Sequence, residues 1–146
     1  MPSYCYEFPR PSLTVDMVCR HRGRLMLIQR GQDPFQFCWA LPGGFANEKE
    51  SARRAGAREL TEETGVEVRE EDLVEIGAFT EPGRDPRGWV VSVAFMVELT
   101  DEQAAQAVAG DDAAAVKFFA LDDLPPLAFD HAQIVQRALT MLPAAS

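Results

Sequence analysis

Three glutamates near the middle of the chain have a spacing that would allow them to bind one metal ion. Glu59, Glu62 and Glu63 occupy positions i, i+3 and i+4 of residues 50–64, a segment without proline that is followed by Gly65. At about 100° per residue, these positions lie on one face of a helix. Like charges so placed cost a helix roughly a few tenths of a kcal/mol per pair, whereas carboxylate oxygens are ligands that Mg²⁺ accepts readily. The pattern therefore indicates either a metal site or a solvated acidic face.

The residues on either side of the glutamates favour the metal site. Gly44 is followed after five residues by Glu50, and after seven more by the run Arg-Glu-Leu-Thr-Glu-Glu-Thr-Gly-Val at 58–66. The stretch matches the pattern G-x5-E-x7-R-E-U-x-E-E-x-G-U, in which U is aliphatic, at every position. It resembles the Nudix box of the Nudix hydrolases. The resemblance implies metal-dependent hydrolysis of a nucleoside diphosphate that is linked to another moiety.

The resemblance also implies a role for each of these residues. The implied ligands of Mg²⁺ or Mn²⁺ are three carboxylates and a backbone carbonyl, from Glu59, Glu62, Glu63 and Gly43, with the Gly44 carbonyl as an alternative. Arg58 and Glu50 are expected to orient the glutamates through ion pairs. Gly44 and Gly65 are expected to form the turns at the two ends of the helix, where glycine tolerates a positive φ. The metal would neutralise the substrate phosphates and activate a water molecule.

A loop that follows the box bears on the substrate. Pro82 lies sixteen residues beyond Val66, and residues 84–88 have the sequence Arg-Asp-Pro-Arg-Gly. Both features resemble the ADP-ribose pyrophosphatase-like subgroup, which implies ADP-ribose as substrate and AMP and ribose 5-phosphate as products. Arg84 and Arg87 are expected to contact phosphate or ribose, and Asp85 to orient an arginine or accept from a ribose hydroxyl. The alternative is a tight turn whose charges are only solvated.

Residues 129–134 also resemble a segment of this subgroup. Asp130 is predicted to be the N-cap of the last helix, with Gln133 placed three residues later for a capping box. His131 is then in the first turn, where it either binds the anionic substrate or lies on the surface.

The sequence leaves several candidates for the residue that accepts a proton from the attacking water. Many members of the family have a glutamate shortly before the last strand, as a metal ligand or general base, but this chain has Ala115 in that region. Asp112 is our candidate for the role, with Asp111 and Glu63 as alternatives. A cation that lowers the pKa of bound water reduces the need for such a base.

The leading hypothesis is a Mg²⁺-dependent pyrophosphatase that acts on ADP-ribose. An alternative enzyme is a pyrophosphohydrolase that removes damaged or surplus nucleoside triphosphates, which Pro82 and the 84–88 loop disfavour. An alternative of another class is a sensor that binds ADP-ribose without turnover. Because the box is intact and the chain ends at Ser146, with no space for an appended DNA-binding module, we expect an enzyme.

The elements that must position these residues alternate between strands and helices. The predicted strands are 12–19, 24–29, 73–79, 89–99 and 116–121, and the predicted helices are 50–64 and 130–142. A short apolar segment, 39–45, contains Gly43 and Gly44. The order indicates the α/β (α+β) class, with a mixed sheet between helices as in the Nudix sandwich, and a single domain over residues 1–146.

Composition excludes several classes of partner. Acidic residues outnumber basic ones by 23 to 14, and the formal charge is −9, so neither a nucleic acid nor an anionic membrane is expected as the main partner. A phosphate-bearing nucleotide remains compatible when a cation mediates. No apolar run has membrane-spanning length and the first residues do not have the pattern of a signal peptide, so neither feature is expected. The odd number of cysteines without a Cys-x-x-Cys motif predicts a reduced, cytoplasmic protein, and a homodimer remains open.

Overall fold

The fold is a mixed β-sheet of seven strands between helices. The computed structural model describes residues 3–110 and 112–142. The strands are β1 (Ser12–His21), β2 (Arg24–Arg30), β3 (Trp39–Ala40), β4 (Gly43–Phe45), β5 (Val74–Phe79), β6 (Val90–Glu98) and β7 (Ala113–Ala120). The helices are α1 (Ala52–Thr64), α2 (Asp101–Ala105) and α3 (His131–Thr140), with a 3₁₀ turn at Glu70–Asp72. None of the helices in the described residues is both long and apolar enough to cross a membrane.

β1 organises the sheet. It runs parallel to β6 from the pair Ser12–Val90 to the pair Arg20–Glu98. On its other edge, β1 pairs with β4 over residues 14–16 and with β2 over residues 20–21. β2 continues to β3 and β7, and β6 continues to β5. β4 and β2 pair with different parts of the same edge of β1. The sheet therefore splits into two branches on this edge, next to residues 14–16.

The two faces of the sheet are covered by different helices. Successive side chains of β1 point to opposite faces, and each face has its own apolar cluster. One cluster joins β1 and β6 to α1 through Val15, Met17, Cys19, Phe95, Ala55 and Leu60. The other joins the sheet to α3 through Val18, Leu25, Ala94, Ile134, Val135 and Ala138. The predicted mixed sheet between helices is therefore confirmed.

Local signals set the ends of α1. Gly65 ends it as predicted, whereas the turn predicted at Gly44 is wrong, because Gly44 lies in β4 and does not have a positive φ. The Ser51 hydroxyl accepts a hydrogen bond from the Arg54 amide, so α1 begins at Ala52 rather than at residue 50. It ends at Gly65, whose φ of 74° lies in the left-handed region that glycine adopts without strain. The glutamates therefore occupy the last turns of a helix with well-defined ends.

Other details of the fold also differ from the prediction. β7 begins at Ala113 rather than at residue 116, because its pairing with β2 continues past an irregularity to Arg30. The short helix α2, capped by Thr100, was not expected. The capping box predicted at Asp130 is wrong, since the Asp130 side chain makes no cap hydrogen bond and instead accepts two from Arg84.

Candidate active site

A cleft of about 580 Å³ lies beside the first half of β1. The sequence-predicted residues that line it are Gly43, Gly44, Arg58, Glu59, Glu62, Glu63, Arg84, Asp85, Arg87, Asp112 and His131. Glu50 does not line the cleft, but its carboxylate accepts a hydrogen bond from Arg58, which does. Asp111 lies outside the described residues. The fold thus brings the glutamate helix, the loop at 82–88 and the start of α3 around one space.

Arg58 binds three carboxylates at once. Its Nε donates to Glu50 Oε2 at 2.7 Å, and its Nη1 donates to Glu59 Oε1 and Glu62 Oε2, both at 3.0 Å. Its Nη2 donates to the Phe45 carbonyl at 3.1 Å, which ties α1 to β4. The hydrogen bonds from Arg58 lower the pKa of Glu50 to about 2, against the opposing effect of burial. Arg58 therefore offsets the repulsion among the carboxylates.

Glu63 and Glu59 lie against the two glycines of β4. Glu63 Oε1 accepts a hydrogen bond from the Gly43 amide at 2.7 Å. Burial, together with the charges of Glu59 and Asp16, raises the pKa of Glu63 to about 8, against the opposing Gly43 hydrogen bond. A Cβ at Gly44 would lie 2.6 Å from the Glu59 carboxylate. Glycine at 44 is therefore what allows the Glu59 carboxylate to lie against the strand.

The donor set suits a hard divalent cation, although the side chains do not converge on one point. Glu59, Glu62 and Glu63 offer the carboxylate oxygens that Mg²⁺ and Mn²⁺ take as ligands. Within residues 3–110 and 112–142, no three His, Cys, Asp or Glu side chains are arranged to hold a metal ion as they stand. Two of the glutamates bind Arg58 and the third binds the Gly43 amide. Joint ligation therefore requires these side chains to move closer together, and each of them has a second carboxylate oxygen outside these contacts.

The loop at 82–88 uses its two arginines differently. The Arg84 side chain is 4% exposed, and its Nε and Nη2 bind both carboxylate oxygens of Asp130 at 2.8 and 2.6 Å. The Arg87 side chain is 38% exposed, and its Nε and Nη2 bind Asp85 at 3.0 and 2.7 Å. Arg84 thus anchors the loop to the start of α3, while Arg87 presents its guanidinium to the cleft.

Arg30 is a cleft residue that the sequence reasoning missed. It lies at the end of β2, and its Nε donates to the Pro34 carbonyl at 2.7 Å. Its guanidinium carbon is 5.0 Å from the centre of the Phe129 ring. Burial lowers the pKa of Arg30, and the charge of Arg87 lowers it further, while Glu63 acts in the opposite direction. An arginine that ends an apolar strand just before a loop was the available signal.

Asp16 is a second residue that the sequence reasoning missed. It is 6% exposed, accepts a hydrogen bond from Ser92 Oγ at 2.5 Å, and its Oδ1 lies 3.2 Å from His131 Nε2. Because His131 Nδ1 accepts from the Leu41 amide at 3.0 Å, the ring proton is on Nε2. Burial alone would raise the pKa of Asp16, but His131, Ser92 and Arg84 lower it below its usual range. A carboxylate within an apolar strand was the signal for this network.

His131 is 5% exposed, so the alternative of a surface residue in the first turn of α3 is wrong. It lines the cleft and contacts β1 and the segment that leads into β4. Its two ring nitrogens are both engaged within the protein, as is the Arg84 guanidinium.

A family model described as the NUDIX domain matches residues 9–138. The chain belongs to the Nudix family. An ADP-ribose pyrophosphatase of Methanocaldococcus jannaschii is 40% identical over 126 residues, which cover 86% of this Nudix chain and 72% of that protein. The ADPR responsive transcriptional repressor NtrR of Acinetobacter baylyi is 30% identical over 144 residues, which cover 93% of this chain and 56% of that protein.

A solved Nudix structure has the same fold. The NUDIX domain of Shewanella oneidensis NrtR, in a cocrystal structure with ADP ribose, superimposes with a TM-score of 0.82 at 32% identity. The match covers 93% of this chain and 91% of that chain. These similarities confirm the predicted Nudix fold and the prediction of a Nudix hydrolase. Nudix hydrolases generally use divalent metal ions, in agreement with the carboxylates of α1.

Proposed function

We propose that this Nudix hydrolase cleaves ADP-ribose to AMP and ribose 5-phosphate in the cleft beside β1. The observation that carries the proposal is that the cleft is lined by groups of both charges. Carboxylates of α1 and the guanidinium of Arg87, which Asp85 holds, line the same cleft. A diphosphate can lie between a cation held by the carboxylates and a guanidinium that binds its oxygens. The 40% identity to an ADP-ribose pyrophosphatase supports ADP-ribose as the substrate.

The proposed metal is Mg²⁺, with Mn²⁺ as the second choice. Glu59, Glu62 and Glu63 would hold it together with the Gly43 carbonyl, while Glu50 orients Arg58 behind them. When bound, the cation supplies charge neutralisation at the phosphates and Lewis-acid activation of water. Glu50 and the Phe45 carbonyl hold the Arg58 guanidinium in place, so its positive charge stays beside the glutamates and offsets part of their negative charge.

Among the described residues, Asp112 and Glu63 are the candidates for accepting the proton of the attacking water, and Asp111 stays an alternative outside them. Asp112 lines the cleft just before β7, and Glu63 lines it from α1, where its carboxylate accepts from the Gly43 amide. We propose Asp112 as the base, with Glu63 as the alternative. If Asp112→Asn lowers kcat about a hundredfold or more, Asp112 has the role. An unchanged kcat excludes Asp112 as the base.

The substrate is tested by incubating the purified protein with Mg²⁺ and a panel of phosphoanhydrides. The panel contains ADP-ribose, NADH, diadenosine polyphosphates and nucleoside triphosphates, and the products are separated by ion-exchange chromatography. We expect AMP and ribose 5-phosphate from ADP-ribose with the highest kcat/KM, and no turnover in excess EDTA. A higher kcat/KM for a triphosphate would contradict the proposal.

A non-catalytic sensor is the second candidate. It is supported by the 30% identity to an ADPR responsive transcriptional repressor and by the NrtR domain that was crystallised with ADP ribose. The complete set of glutamates around Arg58 favours catalysis, since binding alone does not need it. Tight binding of ADP-ribose without product formation in Mg²⁺ or Mn²⁺ would assign the chain to the sensor class.

A further inference from the structure

Two residues, Leu41 and Pro42, join β3 to β4 at the place where the sheet splits. β3 ends at Ala40 and β4 begins at Gly43, so both residues lie outside the strand pairings on either side. Proline has no backbone N–H group, whereas Leu41 is buried and its amide needs an acceptor. That acceptor is His131 Nδ1, at 3.0 Å. A side chain of α3 thus supplies the hydrogen bond that the strand pairings do not supply here.

The residues that follow Leu41 are held against β1. The Pro42 carbonyl accepts a hydrogen bond from the Met17 amide at 2.8 Å, and Gly43 lies opposite Asp16 in the pairing of β4 with β1. The fit is close, since a Cβ at Gly43 would lie 2.0 Å from a backbone carbonyl of β1 and 3.0 Å from Asp16 Oδ1. The segment therefore has little freedom, and a displacement of Leu41 would also displace Gly43.

The Asp16 carboxylate holds the other side of the His131 ring. Its Oδ1 lies 3.2 Å from His131 Nε2, and its Oδ2 accepts a hydrogen bond from Ser92 Oγ at 2.5 Å. Because Nδ1 binds Leu41 and Nε2 faces Asp16, the orientation of the ring is fixed at both nitrogens. Both nitrogens are then occupied within the protein, although the residue lines the cleft.

Gly43 is the point at which this network meets the carboxylates of α1. Its amide donates to Glu63 Oε1 at 2.7 Å, so the direction of this amide determines where the carboxylate can lie. Partners that orient the ligands of a metal site typically change metal affinity or activity about ten- to a hundredfold when they are lost. A change at Leu41 is therefore expected to be measurable at Glu63.

We propose that His131 is a positioning residue, which holds Leu41 and thereby fixes the Gly43 amide and the Glu63 carboxylate. The inference rests on the proposed function, since it concerns the same cleft. It differs from the substrate contact expected for His131 from the sequence, and the two roles predict different kinetics. Loss of a substrate contact raises KM, whereas loss of a residue that positions the carboxylate lowers kcat.

Two variants of similar shape separate the functions of the two ring nitrogens. In His131→Asn, the side-chain oxygen can take the place of Nδ1 and accept from Leu41. In His131→Gln, the amide nitrogen can take the place of Nε2 beside Asp16, but the oxygen lies one bond too far along the side chain to replace Nδ1. Amide hydrogen exchange is followed by NMR in excess EDTA. We expect Leu41 and Gly43 to exchange at least about tenfold faster in His131→Gln and at about the wild-type rate in His131→Asn.

The effect on the carboxylates is measured with Mn²⁺ alone and with ADP-ribose in Mg²⁺. Electron paramagnetic resonance of the free ion gives the Kd for Mn²⁺, and initial rates give kcat and KM. We expect His131→Gln to raise the Kd about tenfold and to lower kcat at least about tenfold, with KM within about threefold of the wild type. In His131→Asn all three quantities should stay within about threefold of the wild type, and thermal unfolding checks that each variant is folded.

His21→Gln is the matched control. His21 is the other histidine of the chain and also faces an aspartate, since its Nε2 lies 2.7 Å from Asp101 Oδ1, but it does not line the cleft. This variant should leave the exchange of Leu41, the Kd for Mn²⁺ and kcat unchanged.

The inference is overturned if Leu41 and Gly43 exchange at the wild-type rate in His131→Gln, or if this variant raises KM with an unchanged kcat. If His131→Gln does not fold, rapid exchange of Leu41 in His131→Asn overturns the inference and wild-type exchange supports it. If the wild type does not cleave ADP-ribose, the proposed function fails, and amide exchange together with the Kd for Mn²⁺ still decides the inference. If ADP-ribose is cleaved and His131→Gln keeps the wild-type kcat and Kd for Mn²⁺, the inference fails and the proposed function stands.

Discussion

Arg58 and Glu50 show at the scale of single residues how the cleft tolerates its negative charge. Glu50 is 9% exposed and binds Arg58 through both carboxylate oxygens, at 2.7 and 2.9 Å. We expect Glu50→Gln to lower the free energy of unfolding by about 1–3 kcal/mol at neutral pH, because charge-assisted hydrogen bonds are weakened. Glu98→Gln, which removes a carboxylate that is 56% exposed and paired with Arg20, should cost less than about 1 kcal/mol.

The Glu50–Arg58 pair also predicts how the free energy of unfolding depends on pH. Arg58 lowers the pKa of Glu50 to about 2 from its ordinary 4.5, so folding is favoured when this carboxyl is ionised. The stabilisation is complete above pH 4.5 and is lost as the pH falls through about 2. The difference between wild type and Glu50→Gln in urea unfolding should therefore be constant above pH 5 and shrink at lower pH. A difference that grew on acidification would contradict this assignment.

Arg84 and Asp130 form a buried ion pair, and its loss should cost more stability than the loss of an exposed pair. Arg84→Met would leave the Asp130 carboxylate, 13% exposed, without its two hydrogen bonds, at an expected cost of about 3–5 kcal/mol. Arg69→Met is the matched control, because it breaks an exposed pair with Asp72 and should cost less than about 1 kcal/mol. Equal losses in urea unfolding for the two variants would show that Arg84 does not anchor the loop.

A site residue could be predicted from the sequence when its partners lie close to it along the chain, and was missed or misassigned when they lie far away. The glutamates, Arg58 and Glu50 lie on one helix and the segment before it, so their spacing alone indicated one site. The Arg84–Asp130 pair joins residues 46 positions apart, and the contact of Asp16 with Ser92 spans 76. Local pattern does not contain such contacts, so Arg84 was expected at the substrate and Asp16 was not singled out.

At the scale of elements, β4 determines where the glutamates of α1 can lie. A Cβ at Gly44 would meet the Glu59 carboxylate at 2.6 Å, and the end of a side chain can move away. A Cβ at Gly43 would lie 2.0 Å from the Val15 carbonyl, which belongs to the paired backbone of β1. The two adjacent glycines therefore have different functions, one for the carboxylate and one for the sheet.

Alanine substitutions at the two positions should separate these functions. We expect Gly44→Ala to keep the wild-type free energy of unfolding within about 1 kcal/mol while activity in Mg²⁺ falls about ten- to a hundredfold, as for other displaced partners of a metal site. We expect Gly43→Ala to lower the free energy of unfolding by about 1–3 kcal/mol or more. Denaturant unfolding and initial rates measure both effects. Wild-type activity in Gly44→Ala would contradict the placement of Glu59.

The strands and helices were predicted best where the signal was local. The segment without proline before Gly65 predicted α1, and the apolar segments predicted most strands, whereas Ser51 as the N-cap was not predicted. β7 was predicted to start too late, because its first residues are alanines that become strand only by pairing with β2. The side chain of Asp130 was predicted to cap α3. It binds Arg84 of a loop distant in sequence instead, so a tertiary contact replaced the predicted local one.

At the scale of the whole molecule, the charge of −9 makes a cation important for stability as well as for binding. Four carboxylates surround Arg58 and Gly43, and a cation that binds only the folded chain should stabilise it by about 2.7 kcal/mol at a hundredfold excess over its Kd. Mg²⁺ is therefore expected to raise the Tm in differential scanning calorimetry, and EDTA to reverse the increase. Sodium chloride at matched ionic strength is the control, and an equal increase with it would argue against a specific site.

The central claim is that the carboxylates of α1 support hydrolysis of ADP-ribose in this cleft. The most direct measurement is kcat/KM for AMP release from ADP-ribose in Mg²⁺, compared between the wild type, Glu63→Gln and Glu102→Gln. Glu102 lies in α2, is exposed and is absent from the lining of the cleft, so its variant is the control. We predict a loss of at least about a hundredfold for Glu63→Gln, the size of effect expected when a catalytic carboxylate is neutralised, and none for Glu102→Gln. Equal rates for all three proteins, or no AMP release by the wild type, would contradict the account.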